Sequence, residues 1–214
     1  MSSVAVIDYG MGNLHSIEKA LQHAAPEVDV QITSNVEIIK QADRIVFPGV
    51  GAIRDCMQAL DSAGLSLVIK DVAKSKPFLG ICLGMQALLT DSEENEKTAG
   101  LDVFKGHVIH FSKHLVDSDG NKLKIPHMGW NQVRQEAHPL WQDIPQNSRF
   151  YFVHSYYVQP DNGAESIAYT DYPEAFTSAL AKDNIFAVQF HPEKSQTVGL
   201  QLLKNFLSWD GKAR

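Results

Sequence analysis

The sequence predicts an α/β protein in which a mostly parallel β-sheet is covered by helices on both faces and extended by a β-rich C-terminal part. In the first half, short continuous apolar runs alternate with helical patterns, which is typical of buried parallel strands joined by crossover helices. After Thr90 the apolar runs become shorter and strand-like. A chain of 214 residues matches the size of one domain, and we expect residues 1–214 to form a single domain.

Apolar runs and helical spacing locate the elements of the first half. The predicted parallel strands are Val4 to Asp8, Val28 to Thr33, Arg44 to Phe47 and Phe78 to Ile81. Apolar residues at helical spacing predict helices at Leu14 to His23 and at Ile53 to Ala73, with a break around Ser62 to Gly64. These helices are the expected crossover connections between parallel strands.

Strand-like runs and one helix are predicted in the later part. The runs are Val103 to Phe111, Lys122 to Ile125 and Arg149 to Val153. Asp183-Asn184 is suited to the positive φ of a tight turn, which predicts an antiparallel hairpin between Ala179 to Lys182 and Ile185 to Phe190. A last helix is predicted from apolar residues that share one helical face: Val198, Leu202, Leu203, Phe206 and Leu207.

Composition and charge exclude several classes of function. Lys and Arg number 19 against 25 Asp and Glu, a formal net charge of −6, and no basic stripe is present that would neutralise phosphates. Nucleic acids and anionic membranes are therefore poor partners. Two cysteines are too few for a disulfide framework, and no apolar stretch approaches the ~20 residues needed to cross a bilayer. Because the N-terminal residues resemble a strand rather than a signal peptide, we expect a soluble, cytoplasmic protein.

The strongest local signal is the Gly80-Ile81-Cys82-Leu83-Gly84 segment between an apolar strand and a helix-compatible run. This pattern is typical of a nucleophile elbow, where glycines prevent collisions with the neighbouring strand and helix. A helix N-terminus and a nearby histidine both favour the reactive thiolate. Although a free cysteine is more often a small buried apolar residue, we favour Cys82 as a nucleophile. Cys56 lies in an amphipathic helical pattern and is expected to be structural.

His191 is the best candidate base for this thiol. It follows an apolar strand in Val188-Gln189-Phe190-His191-Pro192-Glu193. Residues two apart in an extended segment point to the same side, and Pro192 disfavours a helix there. Glu193 can therefore orient His191 and stabilise its protonated form, as an acidic residue does in hydrolytic triads. A structural His–Glu pair at a strand end is the alternative.

An acyl-transfer site also needs hydrogen-bond donors for the oxyanion. One candidate is the backbone amide of Leu83, which follows the nucleophile. The second is the Pro48-Gly49-Val50-Gly51 segment, whose glycines would let a peptide turn its N–H toward the sheet edge. A plain turn explains the same residues equally well.

Further segments resemble a known family. They are Asp8-Tyr9-Gly10-Met11-Gly12-Asn13-Leu14, Pro48-Gly49-Val50-Gly51, Pro126-His127-Met128-Gly129-Trp130-Asn131 and Phe152-Val153-His154-Ser155-Tyr156. With the elbow and the His-Pro-Glu segment, the chain resembles the triad (class I) glutamine amidotransferases over nearly its whole length. Within them it is similar to the glutaminase subunits of imidazole glycerol phosphate synthase.

The resemblance implies a flavodoxin-like, doubly wound fold and a Cys82, His191 and Glu193 triad that takes the amide nitrogen of glutamine through a glutamyl-thioester. It further implies that Gln86 and the Ser155-Tyr156 backbone hold the amino-acid end of the substrate. The oxyanion would be served by Gly49, Val50, Gly51 and Leu83. No cofactor is implied.

The resemblance also implies a partner. In this family a (β/α)8 cyclase subunit forms a heterodimer with the glutaminase, receives its ammonia and makes imidazole glycerol phosphate and aminoimidazole carboxamide ribonucleotide in histidine biosynthesis. We expect Asn13, Met128 and Trp130 at that interface. The alternatives are structural, since Asn13 is suited as a helix N-cap and Trp130 with Met128 could belong to the core.

Other functions fit the sequence less well. The Asp8 to Asn13 loop resembles a dinucleotide-binding turn, but His15 stands where that motif needs a glycine. His107, His110 and His114 have no spacing typical of a metal site, so no metal is expected. Two functions stay open: a free-standing Cys-His-Glu hydrolase, such as a γ-glutamyl hydrolase or peptidase, and a non-catalytic interaction module.

Overall fold

A computed structural model describes residues 2–112, 115–116 and 120–212. The α-helices of this described part are Leu14–Ala24 (α1), Val36–Gln41 (α2), Ile53–Ser62 (α3), Leu65–Val72 (α4), Leu83–Ala87 (α5) and Gln196–Ser208 (α6). The strands are Ser3–Ile7 (β1), Asp29–Thr33 (β2), Arg44–Gly49 (β3), Phe78–Cys82 (β4), Asp91–Ser92 (β5), Thr98–Ala99 (β6), Gly106–His110 (β7), His127–Gln132 (β8), Arg134–Gln135 (β9), Arg149–His154 (β10), Tyr156–Pro160 (β11), Ser166–Asp171 (β12), Ala175–Lys182 (β13) and Ile185–Val188 (β14).

The main sheet has a parallel half and a largely antiparallel half. Its order is β2-β1-β3-β4-β14-β13-β11-β7-β5-β6, with β12 pairing to β13 and β9. In this spatial order, each pair of adjacent strands from β2 to β14 is parallel. The antiparallel half begins with β13, which pairs antiparallel to β14. Strands β8 and β10 form a separate antiparallel pair. The fold is therefore an α/β fold with a doubly wound parallel sheet and an added β-rich part, as predicted.

Helices cover both faces of the parallel half because its strands are apolar on both sides. In β1, Val4 and Val6 belong to one core cluster, together with residues of α1 and α6. Ala5 and Ile7 belong to the other, together with residues of α2, α3, α4 and α5. Alternating side chains of one buried strand thus serve two hydrophobic cores.

Strand register places three loops at one edge of the sheet. Gly49 at the end of β3 pairs with Cys82 at the end of β4. On the other side of β4, Val188 at the end of β14 pairs with Ile81. The segments after Gly49, Cys82 and Val188 therefore leave the sheet side by side, at the edge where open α/β sheets bind their ligands.

Most predicted elements are confirmed within a few residues. The helix predicted over Ile53 to Ala73 is broken as expected, because Gly64 adopts a left-handed φ of 68° between α3 and α4. The hairpin is confirmed as well, with a φ of 50° at Asp183 between β13 and β14. The strand predicted at Val103 to Phe111 is present but shorter, at Gly106–His110.

One predicted strand is wrong and several elements were missed. Lys122 forms only an isolated bridge with Val116, and Lys122 to Ile125 does not form a strand, because among the described residues no second strand pairs along it. Helix α2 was not predicted, although Asn35 caps it by accepting hydrogen bonds from the amides of Glu37 and Ile38. Strands β8, β11 and β12 were also missed.

Long apolar helices are absent from the described part of the chain: none of its helices has the length and hydropathy to cross a membrane.

Candidate active site

Cys82 lies on a strained turn between β4 and α5. Its φ of 55° and ψ of −111° are unfavourable for a residue with a side chain. A Cβ at Gly84 would collide with the carbonyl oxygen of Phe47, and one at Gly80 would lie 3.1 Å from the Cβ of Ala187. Gly84 is therefore required by close backbone packing, Gly80 lies in a tight contact, and the predicted elbow geometry is present.

His191 and Glu193 form a buried pair beside Cys82. The Nδ1 of His191 lies 2.8 Å from Oε1 of Glu193, and their side chains are 3% and 1% exposed. Burial lowers the pKa of His191, but the Cys82 sulfur and then the Glu193 carboxylate raise it, to a net value of about 10. Among the described residues Nε2 of His191 has no well-formed hydrogen bond. That nitrogen is therefore available to exchange a proton with the thiol or a substrate.

Two glutamines link the elbow to strand β11. Gln86 in α5 donates through Nε2 to the carbonyl oxygen of Tyr156 at 3.1 Å and to Oε1 of Gln189 at 3.0 Å. Gln189 in turn directs its Nε2 toward the sulfur of Cys82, at 3.6 Å. An N–H directed at the sulfur stabilises negative charge on it. Gln189 was missed by the sequence analysis, because no local motif sets it apart from a buried strand residue.

A cavity of about 310 Å³ opens at the elbow. Eight of the predicted site residues line it: Val50, Gly51, Cys82, Leu83, Gln86, Ser155, Tyr156 and His191. The structure therefore brings together residues from four separate segments of the chain. Gly49 is not part of the lining but pairs with Cys82 in the sheet, and Glu193 lies behind His191.

The loop after β3 is supported from behind by Tyr9. The Tyr9 hydroxyl donates to the carbonyl oxygen of Pro48 at 3.0 Å. Burial raises the pKa of Tyr9 far above its ordinary value, so the hydroxyl stays protonated and remains a donor. A Cβ at Gly49 would lie 2.5 Å from this hydroxyl, and Gly51 has a φ of 95°. The oxyanion role of Val50 and its neighbours stays a prediction.

Glu94 brings a carboxylate into the cavity wall, and no sequence motif predicted a role for it. It lines the cavity, and its Oε2 accepts a hydrogen bond from the amide of Ile53 at 3.0 Å. The acidic composition of its segment was the available signal, but neighbouring Glu93 and Glu96 are exposed and share that composition. Only the fold distinguishes Glu94 from them.

The three residues predicted at a partner interface lie apart from the cavity lining. Met128 and Trp130 in β8 are 61% and 41% exposed, so the alternative that they belong to the core is wrong. Asn13 is exposed and precedes α1, but within the described structure its side chain forms no capping hydrogen bond. Their role in an interface stays a prediction.

The histidines considered for a metal site have other partners. Nδ1 of His107 lies 2.6 Å from Asp91, and Nδ1 of His110 contacts the carbonyl oxygen of Phe111. His114 lies outside the described residues. Within residues 2–112, 115–116 and 120–212, no group of three or more His, Cys, Asp or Glu side chains is arranged to hold a metal ion.

A thiol on an elbow, a buried histidine with its acidic partner and a cavity of substrate size are together suited to acyl transfer through a covalent cysteine intermediate. The chain belongs to the class-I glutamine amidotransferase family, whose model matches residues 5–209. Imidazole glycerol phosphate synthase subunit HisH of Nitrosococcus oceani is 59% identical, with 99% of each chain covered. The protein of the same name from Methylococcus capsulatus is 58% identical, with 98% of each chain covered.

Solved structures of lower sequence similarity share the fold. PurLQS from Thermotoga maritima superposes with a TM-score of 0.71 at 14% identity, over 97% of this chain and 98% of that one. The glutaminase domain of CTPS from Trypanosoma brucei, solved with bound acivicin, gives a TM-score of 0.61 at 18% identity, over 100% and 98% of the two chains. The α/β architecture is thus the one found in those structures.

We expect His191 to stay protonated well above neutral pH. In an NMR titration its midpoint should lie near the pKa of about 10 and should fall in Glu193→Gln, which removes one of the two stabilising charges.

The raised pKa also makes the free energy of unfolding depend on pH. Because the folded pKa exceeds the ordinary 6.5, the contribution of protonated His191 to that free energy is complete below pH 6.5 and is lost as pH rises toward 10. The advantage of wild type over Glu193→Gln in unfolding free energy should shrink across that range. A wild-type midpoint at or below 6.5 would contradict this account.

Proposed function

We propose that this chain is the glutaminase subunit of an imidazole glycerol phosphate synthase, hydrolysing glutamine at Cys82 and delivering ammonia to a cyclase subunit. The observation that carries the proposal is the elbow thiol beside the buried His191–Glu193 pair, in a chain 59% identical over its length to a protein of that name. Both features are needed, because the triad supports the chemistry and the relatives support the particular enzyme.

In the first step the Cys82 thiolate attacks the side-chain carboxamide of glutamine. A carbon–sulfur bond forms, and His191 gives its proton to the departing nitrogen as the carbon–nitrogen bond breaks. Ammonia leaves and a glutamyl-thioester remains on Cys82. Glu193 holds the imidazole through Nδ1, which keeps Nε2 available for this transfer.

In the second step water hydrolyses the thioester. Neutral His191 now takes a proton from the attacking water, a carbon–oxygen bond forms and the carbon–sulfur bond breaks. The new carboxyl group gives its remaining proton to solvent, glutamate is released, and the thiolate and protonated histidine are restored. In both steps the negative charge on the carbonyl oxygen would be stabilised by the amide of Leu83 and by the loop of Gly49, Val50 and Gly51.

The cavity wall contains groups for the amino-acid end of glutamine. Glu94 offers a carboxylate for the α-ammonium group, and the Ser155-Tyr156 backbone offers polar groups beside it. Gln86 lines the cavity and is held by Tyr156 and Gln189, and we assign it to the amino-acid end of the substrate as well. Glutamine would therefore lie with its carboxamide at Cys82 and its ammonium group toward Glu94.

The proposed partner is a (β/α)8 cyclase subunit that forms a heterodimer with this chain. The two relatives described above carry the word subunit in their names, which supports an assembly. Exposed Met128 and Trp130 are of the residue types enriched at protein interfaces. We assign Asn13 to the same interface. No cofactor takes part in the proposed reaction.

We propose the cytoplasm as the site of action. Cys56 and Cys82 are both free thiols, and the reaction requires Cys82 to stay reduced. A reducing compartment maintains that state.

Glutamate release from glutamine tests the assignment. The chain should be slow alone and much faster when the cyclase and its ribonucleotide substrate are added, and Cys82→Ala should remove the activity under every condition. Cys56→Ala is the matched control and should retain the activity, because Cys56 is buried in α3 and is not among the residues that line the cavity. Full activity of Cys82→Ala would disprove the mechanism, whereas high activity without the partner would favour a free-standing hydrolase.

Replacing Glu94 tests the proposed orientation of glutamine. Glu94→Gln should raise the KM for glutamine roughly tenfold or more, with a small effect on kcat, because a charge-assisted hydrogen bond to the substrate ammonium is weakened. Glu96→Gln makes the same chemical change at an exposed position of the same segment and should leave KM unchanged. Equal KM values in the two variants would show that Glu94 does not bind the ammonium group.

A further inference from the structure

A row of hydrogen bonds connects strand β8 to the substrate cavity. Nδ2 of Asn131 lies 3.2 Å from Nε2 of His127, whose Nδ1 lies 2.9 Å from Nε2 of His154. Nδ1 of His154 then lies 2.7 Å from the carbonyl oxygen of Tyr156. His127 and His154 are only 3% and 6% exposed, and they stand opposite each other in the pairing of β8 with β10.

The Tyr156 carbonyl sets the direction of every bond in this row. A carbonyl oxygen only accepts, so Nδ1 of His154 must carry a hydrogen. A neutral imidazole has one such hydrogen, so Nε2 of His154 accepts from Nδ1 of His127. Nε2 of His127 is then an acceptor as well, and it receives a hydrogen from the Asn131 amide. Each group donates toward Tyr156.

Burial keeps both imidazoles neutral, as this direction requires. It lowers the pKa of His127 to about 4 and that of His154 to about 3, although the hydrogen bond to the Tyr156 carbonyl opposes the effect of burial on His154. The Asn131 amide is also fixed, because its Nδ2 donates to the carbonyl oxygen of Asp171 at 3.0 Å and its Oδ1 accepts from the amide of Gln132 at 2.8 Å.

The row of hydrogen bonds ends at the Tyr156 carbonyl, which is also linked to the side chains next to Cys82. The Tyr156 carbonyl accepts a second hydrogen bond from Gln86, which also donates to Gln189, and Gln189 reaches Cys82. If the Gln86 amide were reversed, its oxygen would face the Tyr156 oxygen. The same carbonyl therefore determines the orientation of both glutamines.

Strand β8 has one side that carries the row of hydrogen bonds and one side that is exposed to solvent. His127 and Asn131 point to one side of the strand, whereas Met128, Trp130 and Gln132 alternate with them and are exposed. The ring of His127 stacks on Tyr172, with centroids 4.0 Å apart. A shift of β8 would consequently move a ring that is both packed and hydrogen-bonded.

We propose that Asn131, His127 and His154 are positioning residues, forming a one-directional relay that holds the Tyr156 carbonyl, and with it Gln86 and Gln189, in place beside Cys82. The relay makes the geometry of the cavity wall depend on the position of β8. This inference rests on the proposed glutaminase function, because it assigns the relay to the positioning of glutamine.

The first test is the protonation state of the two histidines. In the ¹⁵N NMR spectrum of the whole chain at neutral pH, both His127 and His154 should be neutral and should carry their hydrogen on Nδ1. Resonances typical of an Nε2 hydrogen or of a doubly protonated ring at either residue would overturn the relay.

The second test reverses the relay from its start. Asn131→Asp has no hydrogen to offer Nε2 of His127, so the single hydrogen of the neutral ring moves from Nδ1 to Nε2, and Nδ1 no longer donates to His154. The ¹⁵N spectrum of the variant checks this shift. Gln132→Glu is the matched control, since it makes the same change at the next, exposed residue, whose side chain lies outside the relay. His127→Phe keeps a ring against Tyr172 and removes both nitrogens, which provides a second variant if Asn131→Asp folds poorly.

The readout is alkylation of Cys82 by a chloroketone analogue of glutamine, together with the KM for glutamine in the complex. Asn131→Asp and His127→Phe should react about tenfold more slowly and show an about tenfold higher KM, the effect of losing one buried hydrogen bond. Gln132→Glu should match wild type in both readouts. Iodoacetamide, which does not use the glutamine site, separates a change at the sulfur through Gln189 from a change in glutamine binding. Equal chloroketone rates and KM values would overturn the relay alone. A wild type that the chloroketone does not label would overturn the proposed function as well.

Discussion

The close approach of α5 to the end of β3 is the constraint on which the site depends. Cys82 turns the chain from strand to helix with a left-handed φ of 55°, and Gly84 lies so close to the Phe47 carbonyl that a side chain would not fit there. This packing directs the thiol away from the sheet. It also directs the N-terminus of α5 toward the cavity. Because Gly49 pairs with Cys82 in the same place, the loop after β3 lies next to the nucleophile.

Burial strengthens the electrostatic interactions between the charged groups at this site. The His191–Glu193 pair is almost completely shielded from water, so its charges are screened little and the protonated imidazole is stabilised at neutral pH. Gln189, fully buried, adds an N–H directed at the sulfur. Gln86, which donates to Gln189, also donates to the main-chain carbonyl of Tyr156, and His154 contacts the same carbonyl. Chemistry at the thiol thus depends on backbone placed by the antiparallel half of the sheet.

The sequence predicted the residues whose role is encoded locally and missed those whose role depends on distant pairing. Cys82 lies in a glycine-flanked turn and His191 in a His-Pro-Glu segment, and both signals are readable within a few residues. Glu94 and Gln189 carry no such pattern, because they reach the cavity only through the order of the strands. The predicted strand from Lys122 to Ile125 is wrong for a related reason, since a short strand-like run forms a strand only where a partner strand accompanies it.

Covalent attachment of the substrate carbon to Cys82 is the central claim. The most direct measurement is mass spectrometry of peptides from the chain after it has turned over glutamine in complex with the proposed partner subunit and has been quenched in acid, which slows thioester hydrolysis. The account predicts a mass increase equal to one glutamyl group on the peptide that contains Cys82, and none on the peptide that contains Cys56. Turnover without any such adduct, or an adduct at another residue, would contradict it.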